Sequence, residues 1–224
     1  MSSYIYNLIE EGEHQQQDFK YCISDTVKIA RTLVAFANTD GGKLLIGVKD
    51  NGNIAGVRSE EEYYMIESAA GLFCEPEVSF SSKKWNIEGK AVLEVNIPQG
   101  EQKPYFVKEK DRKKIAYIRV GDQNLAANKI LLDAWKKKKR KKGTYIKFTY
   151  PVNFLFQYLD ENSTITLRSF CRSARIRKHM AEKILSDLVA LDIIKIIFTE
   201  KGIYYALEED FDISDIENED FIGK

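Results

Sequence analysis

The chain has 224 residues, of which 44% are hydrophobic and 12% aromatic, so it can bury a core and is not an intrinsically disordered chain. Basic and acidic residues number 34 each, so the net charge is zero and the chain as a whole is neither strongly basic nor strongly acidic. No apolar run approaches the roughly 18 residues of a membrane span, and the N-terminal residues do not read as a signal peptide. We therefore expect a cytoplasmic protein without membrane contact. Its three widely separated cysteines predict buried thiols in a reducing compartment.

The first part of the chain predicts an α+β fold. Ser24 is a suitable N-cap, and apolar residues then recur at helical spacing as far as the Asn38 to Gly42 stretch, where glycine can end the helix. The apolar run that follows, 44–48, predicts a strand covered on both faces.

A capping box of Ser59 with Glu62 predicts a second helix that reaches Phe73. The pattern then changes to strands at 78–85, 91–97, 105–108 and 115–120, with glycines at the intervening turns. A further helix is predicted to begin at Asn124 or Asn128 and to run into a block of cations.

That block is an unbroken basic run, which predicts a boundary between domains because seven like charges cannot be buried. Its members are Lys136, Lys137, Lys138, Lys139, Arg140, Lys141 and Lys142. The prediction is a first domain over 1–135, a basic linker over 136–144, a second domain over 145–208 and an acidic, disordered tail over 209–224.

The second domain predicts a winged helix-turn-helix, because helices near 152–159, 167–173 and 175–191 precede two short strands at 193–198 and 203–207. The long helix carries an apolar stripe made of Ile176, Met180, Ile184, Leu188 and Leu191. Cations lie at its start and on the helix before it, where they oppose the helix dipole unless an anion faces them. The residues predicted to contact nucleic acid are Arg168, Arg172, Arg175, Arg177, Lys178 and Lys183, together with the basic run. The alternative is a dimerisation or protein-docking module with a solvated basic face.

Gly41 and Gly42 favour a helix-to-strand turn over a phosphate loop, because neither a GKS/T sequence nor a G-x-G-x-x-G pattern is present. Asp50 precedes Asn51 and Gly52, a strong turn pair, and is interpreted as a turn-capping carboxylate. His14 and His179 are the only histidines, and no Cys/His spacing predicts a zinc site.

Two groups of motifs carry a resemblance. Glu13 is followed by the triplet Asp18-Phe19-Lys20, and AFANTDGGKLLIGVKDNGNIAG runs from Ala35 to Gly56. Lys103-Pro104-Tyr105 and the YIRVG sequence from Tyr117 to Gly121 follow. In these motifs the first 130 or so residues resemble the Schlafen AlbA-like family, whose bacterial members are described as DNA-binding proteins or transcriptional regulators. The resemblance implies an α+β domain that works on nucleic acid, and C-terminal helix-turn-helix modules are common companions of it.

The resemblance also implies a metal site. In nuclease-active members of the family three acids hold a divalent metal, and by motif position these fall on Glu13, Asp18 and Asp50. Carboxylates suit Mg²⁺ or Mn²⁺, which can activate water for phosphodiester hydrolysis. Asp18 stands where the family more often has the longer Glu. The alternative is that these acids pair with Lys20 or cap turns.

We therefore predict a nucleic-acid-binding protein, a transcriptional regulator that prefers DNA to RNA, acts as a homodimer and requires no cofactor for binding. The competing prediction is a nuclease that uses Mg²⁺ or Mn²⁺ at Glu13, Asp18 and Asp50. ATP binding is a lesser alternative, since some relatives carry that label.

Overall fold

A computed structural model describes residues 2–57, 59, 61–111, 113–140 and 143–211. The chain divides into two compact units, Met1–Ala127 and Asn128–Lys224. Within the part of the chain that the structure describes, no helix combines the length and the apolar character needed to cross a membrane.

The first unit mixes helices and strands, which confirms the predicted α+β class. Its helices are α1 (Ser2–Glu11), α2 (Thr26–Asn38) and α3 (Glu61–Ser68), the last continued by a π-helical turn over Ala69–Phe73. Its strands are β1 (Gln17–Lys20), β2 (Gly42–Ile46), β3 (Cys74–Glu75), β4 (Ser81–Ile87), β5 (Lys90–Ile97), β6 (Phe106–Lys108), β7 (Lys114–Ile115), β8 (Tyr117–Val120) and β9 (Gln123–Ala126).

The main sheet has the strand order β1-β2-β5-β4, with β1 and β2 parallel and the other neighbours antiparallel. Strand β2 lies inside this sheet. Leu44 and Ile46 pack in the core that contains α2, and Leu45 packs in a second cluster on the opposite face, with residues of α1. Both faces of β2 are therefore covered, as its continuous apolar run predicted.

The glycine pair between α2 and β2 is required by close packing. Gly41 has φ +71°, and a Cβ there would lie 2.8 Å from the Ile97 carbonyl oxygen. At Gly42 a Cβ would lie 2.5 Å from the Phe36 ring. The predicted helix-to-strand turn is thus confirmed. The N-cap of α2 is Asp25 rather than Ser24, because the Asp25 carboxylate accepts the Val27 N–H at 2.8 Å.

The second unit contains helices α4 (Lys129–Lys138), α5 (Tyr150–Asn162), α6 (Leu167–Ser173) and α7 (Lys178–Ala190), followed by strands β10 (Ile194–Thr199) and β11 (Gly202–Leu207). The two strands form an antiparallel hairpin. Ile165, just before α6, bridges to Tyr205 of β11. Buried apolar residues from α4 to α7 and from the hairpin make one core.

The boundary between the units differs from the predicted one at residue 135, because α4 belongs to the second unit. Ile130 of α4 is buried in the second core, and α4 packs along α7. Lys136 to Lys138 form the last turn of α4 rather than the start of a linker, and cations there complement the negative end of the helix dipole. Most of the predicted acidic tail, 212–224, lies outside the described residues.

The three cysteines are free thiols, but they are not all buried. Cys74 is buried, and burial raises the pKa of its thiol to about 12. Cys22 is exposed and Cys171 is half-buried, so the prediction of three buried thiols was wrong for these two.

Candidate nucleic-acid interface

The start of α7 presents cations to solvent. The helix begins at Lys178, so Arg175 and Arg177 lie in the turn that leads into it, and all three side chains are exposed. Arg177 occupies the N-cap but makes no side-chain capping bond, and the first turn contains no acid. The positive end of the helix dipole and the cations therefore act at the same place, which favours a negatively charged ligand there.

The backbone at this turn is strained. Arg175 has φ +54°, a left-handed conformation that a side chain with a Cβ disfavours. Residues held in such conformations cluster at functional sites, so the strain is a second feature that marks this turn.

Six exposed cations lie on α6, on α7 and in the turn between these two packed helices. They are Arg168, Arg172, Arg175, Arg177, Lys178 and Lys183, and we call them the α6–α7 cationic cluster. Within the described residues only Lys178 pairs with an acid, Glu182, at 3.8 Å. The structure thus brings these six predicted residues onto one helix pair and leaves their charges available.

The interior face of α7 differs in part from the predicted apolar stripe. Ala181, Leu185 and Leu188 are fully buried in the second core, and Ile184 is half-buried. Met180, which the stripe included, is 46% exposed. It lies one position before Ala181, on the outward side of the first turn.

The basic run is not uniformly available to a polyanion, because three of its members have acidic partners within the chain. Lys137 is 12% exposed and lies 2.7 Å from the Asp187 carboxylate, while its Nζ also donates to Ser186 at 2.6 Å. Lys136 and Lys138 pair with Asp133 and Asp192.

The remaining members of the run differ from these three. Lys139 also has a partner, and Arg140 is exposed. Lys141 and Lys142 lie outside the described residues. The number of cations in the basic run therefore overstates its free charge. Acids on α4, on α7 and just after α7 neutralise part of that charge, and they are Asp133, Asp187 and Asp192.

In the first unit, Glu13 and Asp18 lie together near β1. A carboxylate oxygen of Glu13 accepts the Phe19 N–H at 2.8 Å. Burial is the main cause that raises the pKa of Glu13, and the neighbouring Asp18 carboxylate raises it further. Lys20 Nζ lies 2.8 Å from Asp18 Oδ2 and 4.0 Å from Glu13 Oε1.

Asp18 is buried, and its two oxygens meet different cations. Oδ1 accepts a bond from Arg119 Nη2 at 3.2 Å. Oδ2 contacts Lys20 as an ion pair, and among the described residues it is the only buried side-chain polar atom without a hydrogen-bond partner. Asp18 is therefore compensated by two cations of the chain itself.

Asp50 does not complete the predicted three-carboxylate site. It is exposed at the turn after Val48, and this turn is capped by Asn51, whose side-chain oxygen accepts the Asn53 N–H at 3.1 Å. Among the described residues, which include all three acids, no group of three or more His, Cys, Asp or Glu side chains could hold a metal ion. The residues present therefore do not fit a three-carboxylate metal site.

Arg119 is the residue that sequence reasoning missed. It is 2% exposed, and its guanidinium donates to the carbonyl oxygens of His14 and Gln17, to Asp18 and to Asn124. The Arg119 guanidinium also makes a cation–π contact with Phe36, with Cζ 5.2 Å from the ring centroid. The sequence feature that could have indicated this role is a single arginine between Ile118 and Val120 in an apolar strand, because a charge at such a position needs buried partners.

Comparison with known proteins gives one family and two solved structures. The family described as Schlafen, AlbA_2 matches residues 13–128. The DIP2311 protein from Corynebacterium diphtheriae is 15% identical with a TM-score of 0.43, over 69% of this chain and 37% of that one. The N-terminal domain of a RecG-related protein from Nitrosomonas europaea is 24% identical with a TM-score of 0.41, over 55% of this chain and 93% of that one. The chain thus spans little more than a third of the Corynebacterium protein. The comparison with curated proteins found no match to this chain.

Proposed function

Because the chain belongs to the Schlafen AlbA_2 family, we propose that it is a nucleic-acid-binding protein and, more specifically, a DNA-binding transcriptional regulator. In this proposal the second unit is a winged helix that contacts duplex DNA through the start of α7. The order of three helices, α5 to α7, and an antiparallel hairpin supports that assignment.

The observation that carries the proposal is the α6–α7 cationic cluster. Six exposed cations with a single pairing acid give a net positive surface on a chain whose total charge is zero. Each phosphate that such a cation neutralises releases counterions, which supplies affinity without sequence preference. Residues at the N-terminal end of a recognition helix are also those that reach base edges in the major groove, so the same turn can add specificity.

The width of the major groove of B-DNA favours DNA over an RNA helix as the target of α7, because side chains cannot read the deep, narrow major groove of A-form RNA. A homodimer would place two α7 helices on two half-sites about one helical turn apart. Binding in this proposal needs no cofactor.

Duplex binding tests the proposal directly. We expect a labelled DNA duplex to bind with an affinity that falls linearly with salt on logarithmic axes. Replacing Arg177 and Lys178 by Gln should lower the magnitude of that slope by about 0.9 for each phosphate contact removed. Fluorescence anisotropy between about 50 and 200 mM salt measures the slope.

Lys84→Gln is the matched control, since Lys84 is an exposed lysine of the first unit without a described ion pair. Its slope should equal that of the unchanged protein. Absence of binding to every oligonucleotide at low salt would overturn the proposal.

Nucleic-acid cleavage is the competing function, and one observation favours it: Glu13 and Asp18 are adjacent and the pKa of Glu13 is raised. Among the described residues no third carboxylate fits beside these two, which weighs against cleavage, so we expect oligonucleotides to keep their full length when Mg²⁺ or Mn²⁺ is added. Metal-dependent shortening that Asp50→Ala abolishes, with binding retained, would establish the nuclease instead. A thermal shift with ATP would support the lesser alternative of nucleotide binding.

A further inference from the structure

The second unit contains a groove between α7 and the described residues 143–149 that precede α5. Its volume is about 680 Å³. The floor is apolar, formed by Val152, Ile184 and Leu188 from the core together with the exposed Met180. The groove shares only Lys183 with the α6–α7 cationic cluster.

An exposed aromatic ring lines this groove. It belongs to Tyr145, which is 66% exposed. A tyrosine ring this open is available to a ligand, since a core role would bury it.

The rim of the groove is cationic. Arg140, Lys147 and Lys183 are exposed lining residues, and none of the three pairs with an acid among the described residues. Among the described residues that line the groove, the one acid is Asp187, and it is paired with Lys137 at 2.7 Å. The ligand that complements this groove therefore carries negative charge and flat apolar surfaces together.

We propose that this groove binds single-stranded nucleic acid, with a base stacked on Tyr145 and phosphates held by Arg140, Lys147 and Lys183. An unpaired strand exposes its base faces, whereas a duplex hides them inside its stack, so the exposed Tyr145 ring favours the single strand. An acidic peptide would satisfy the cations but would leave the Tyr145 ring unused. The inference rests on the proposed function and names a second class of nucleic acid for the same unit.

The test compares full-length protein binding to labelled oligo(dT) and to a duplex of equal length, by fluorescence anisotropy at one salt concentration. Tyr145→Ala should weaken oligo(dT) binding about 5- to 150-fold, the effect of losing one stacked base, and change duplex binding less than about twofold. Tyr145→Phe keeps the ring and should bind as the unchanged protein does. Tyr64→Ala removes a tyrosine of the first unit that is 63% exposed, and should change neither affinity.

Each result separates this inference from the proposed function. If the unchanged protein binds neither oligonucleotide, the proposed function fails. If it binds both and Tyr145→Ala weakens neither, or weakens both equally, the groove does not stack bases and this inference alone is overturned. If polyglutamate of matched charge binds the groove as tightly as oligo(dT), with the same dependence on Tyr145, the groove is a site for acidic protein and the inference fails. A thermal melt of Tyr145→Ala that matches the unchanged protein confirms that an affinity loss is not a loss of fold.

Discussion

Arg119 is the single residue on which the region around β1 most depends. Its guanidinium satisfies two backbone carbonyls, a carboxylate and an amide, all in a place from which water is largely excluded. The planar fork of arginine fits these diverging acceptors, and a lysine could reach only part of them. The residue is structural in the first instance, because it compensates the buried charge of Asp18.

We expect Arg119→Met to lower the free energy of unfolding by about 3–5 kcal/mol, because it leaves Asp18 buried with only Lys20 as a counter-charge. Urea denaturation measures the change. The double variant Arg119→Met, Asp18→Asn should recover part of the loss, since it removes the uncompensated charge. A loss below about 1 kcal/mol in the single variant would contradict the role assigned to Arg119.

At the scale of elements, the turn between α6 and α7 combines strain with exposed charge. Arg175 holds a left-handed backbone conformation for which glycine is better suited, yet it supplies a cation beside the start of α7. Such a residue is explained more readily by binding than by folding.

Arg175→Gly should therefore raise the free energy of unfolding by about 1 kcal/mol while it weakens duplex binding. Arg172→Gly is the matched control, because it removes the same charge from the last turn of α6, where the backbone is helical, and should lower stability by up to about 1 kcal/mol. Thermal melts and anisotropy titrations of the two variants give the comparison. Equal stability changes in both would show that the φ of Arg175 costs nothing.

Periodicity predicted the elements well and the contacts between them poorly. The apolar run of β2, the glycine pair before it and the helix–helix–helix–hairpin order of the second unit depend on local pattern, and the structure has them. The pairing of Lys137 with Asp187 joins residues 50 positions apart in different helices, so no window of sequence contains it. The same holds for Arg119 and Asp18, and for the failure of Asp50 to join the other two acids.

Across the whole molecule, both units use carboxylates whose charged form is stabilised by a basic partner. Hydrogen bonds from Arg31 are the largest cause that lowers the pKa of Glu109 in the first unit. A hydrogen bond from Lys129 does the same for the pKa of Glu182 in the second. A carboxylate whose pKa is lower in the folded chain contributes stability above its unfolded pKa and loses it as the pH falls.

We expect the thermal midpoint to be highest near neutral pH and to fall as the pH drops below about 4.5, the ordinary pKa of glutamate. Scanning calorimetry from pH 7 to pH 3 follows the decline. Glu109→Gln should be less stable at pH 7 and should show a shallower fall, because it has lost the group that titrates. A stability that rises on acidification through this window would contradict the lowered pKa values.

The ion pair between Arg119 and Asp18 also has a consequence for folding during translation. Asp18 and Arg119 are 101 residues apart, so at about 5–20 residues per second the nascent chain carries Asp18 for roughly 5–20 s with Lys20 as its counter-ion before Arg119, the second one, is made. Strands β1 and β2 are both made early, and until Arg119 follows, Asp18 has only Lys20 as a counter-charge. Translation of β8 thus supplies the second cation that the buried Asp18 carboxylate meets in the folded first unit.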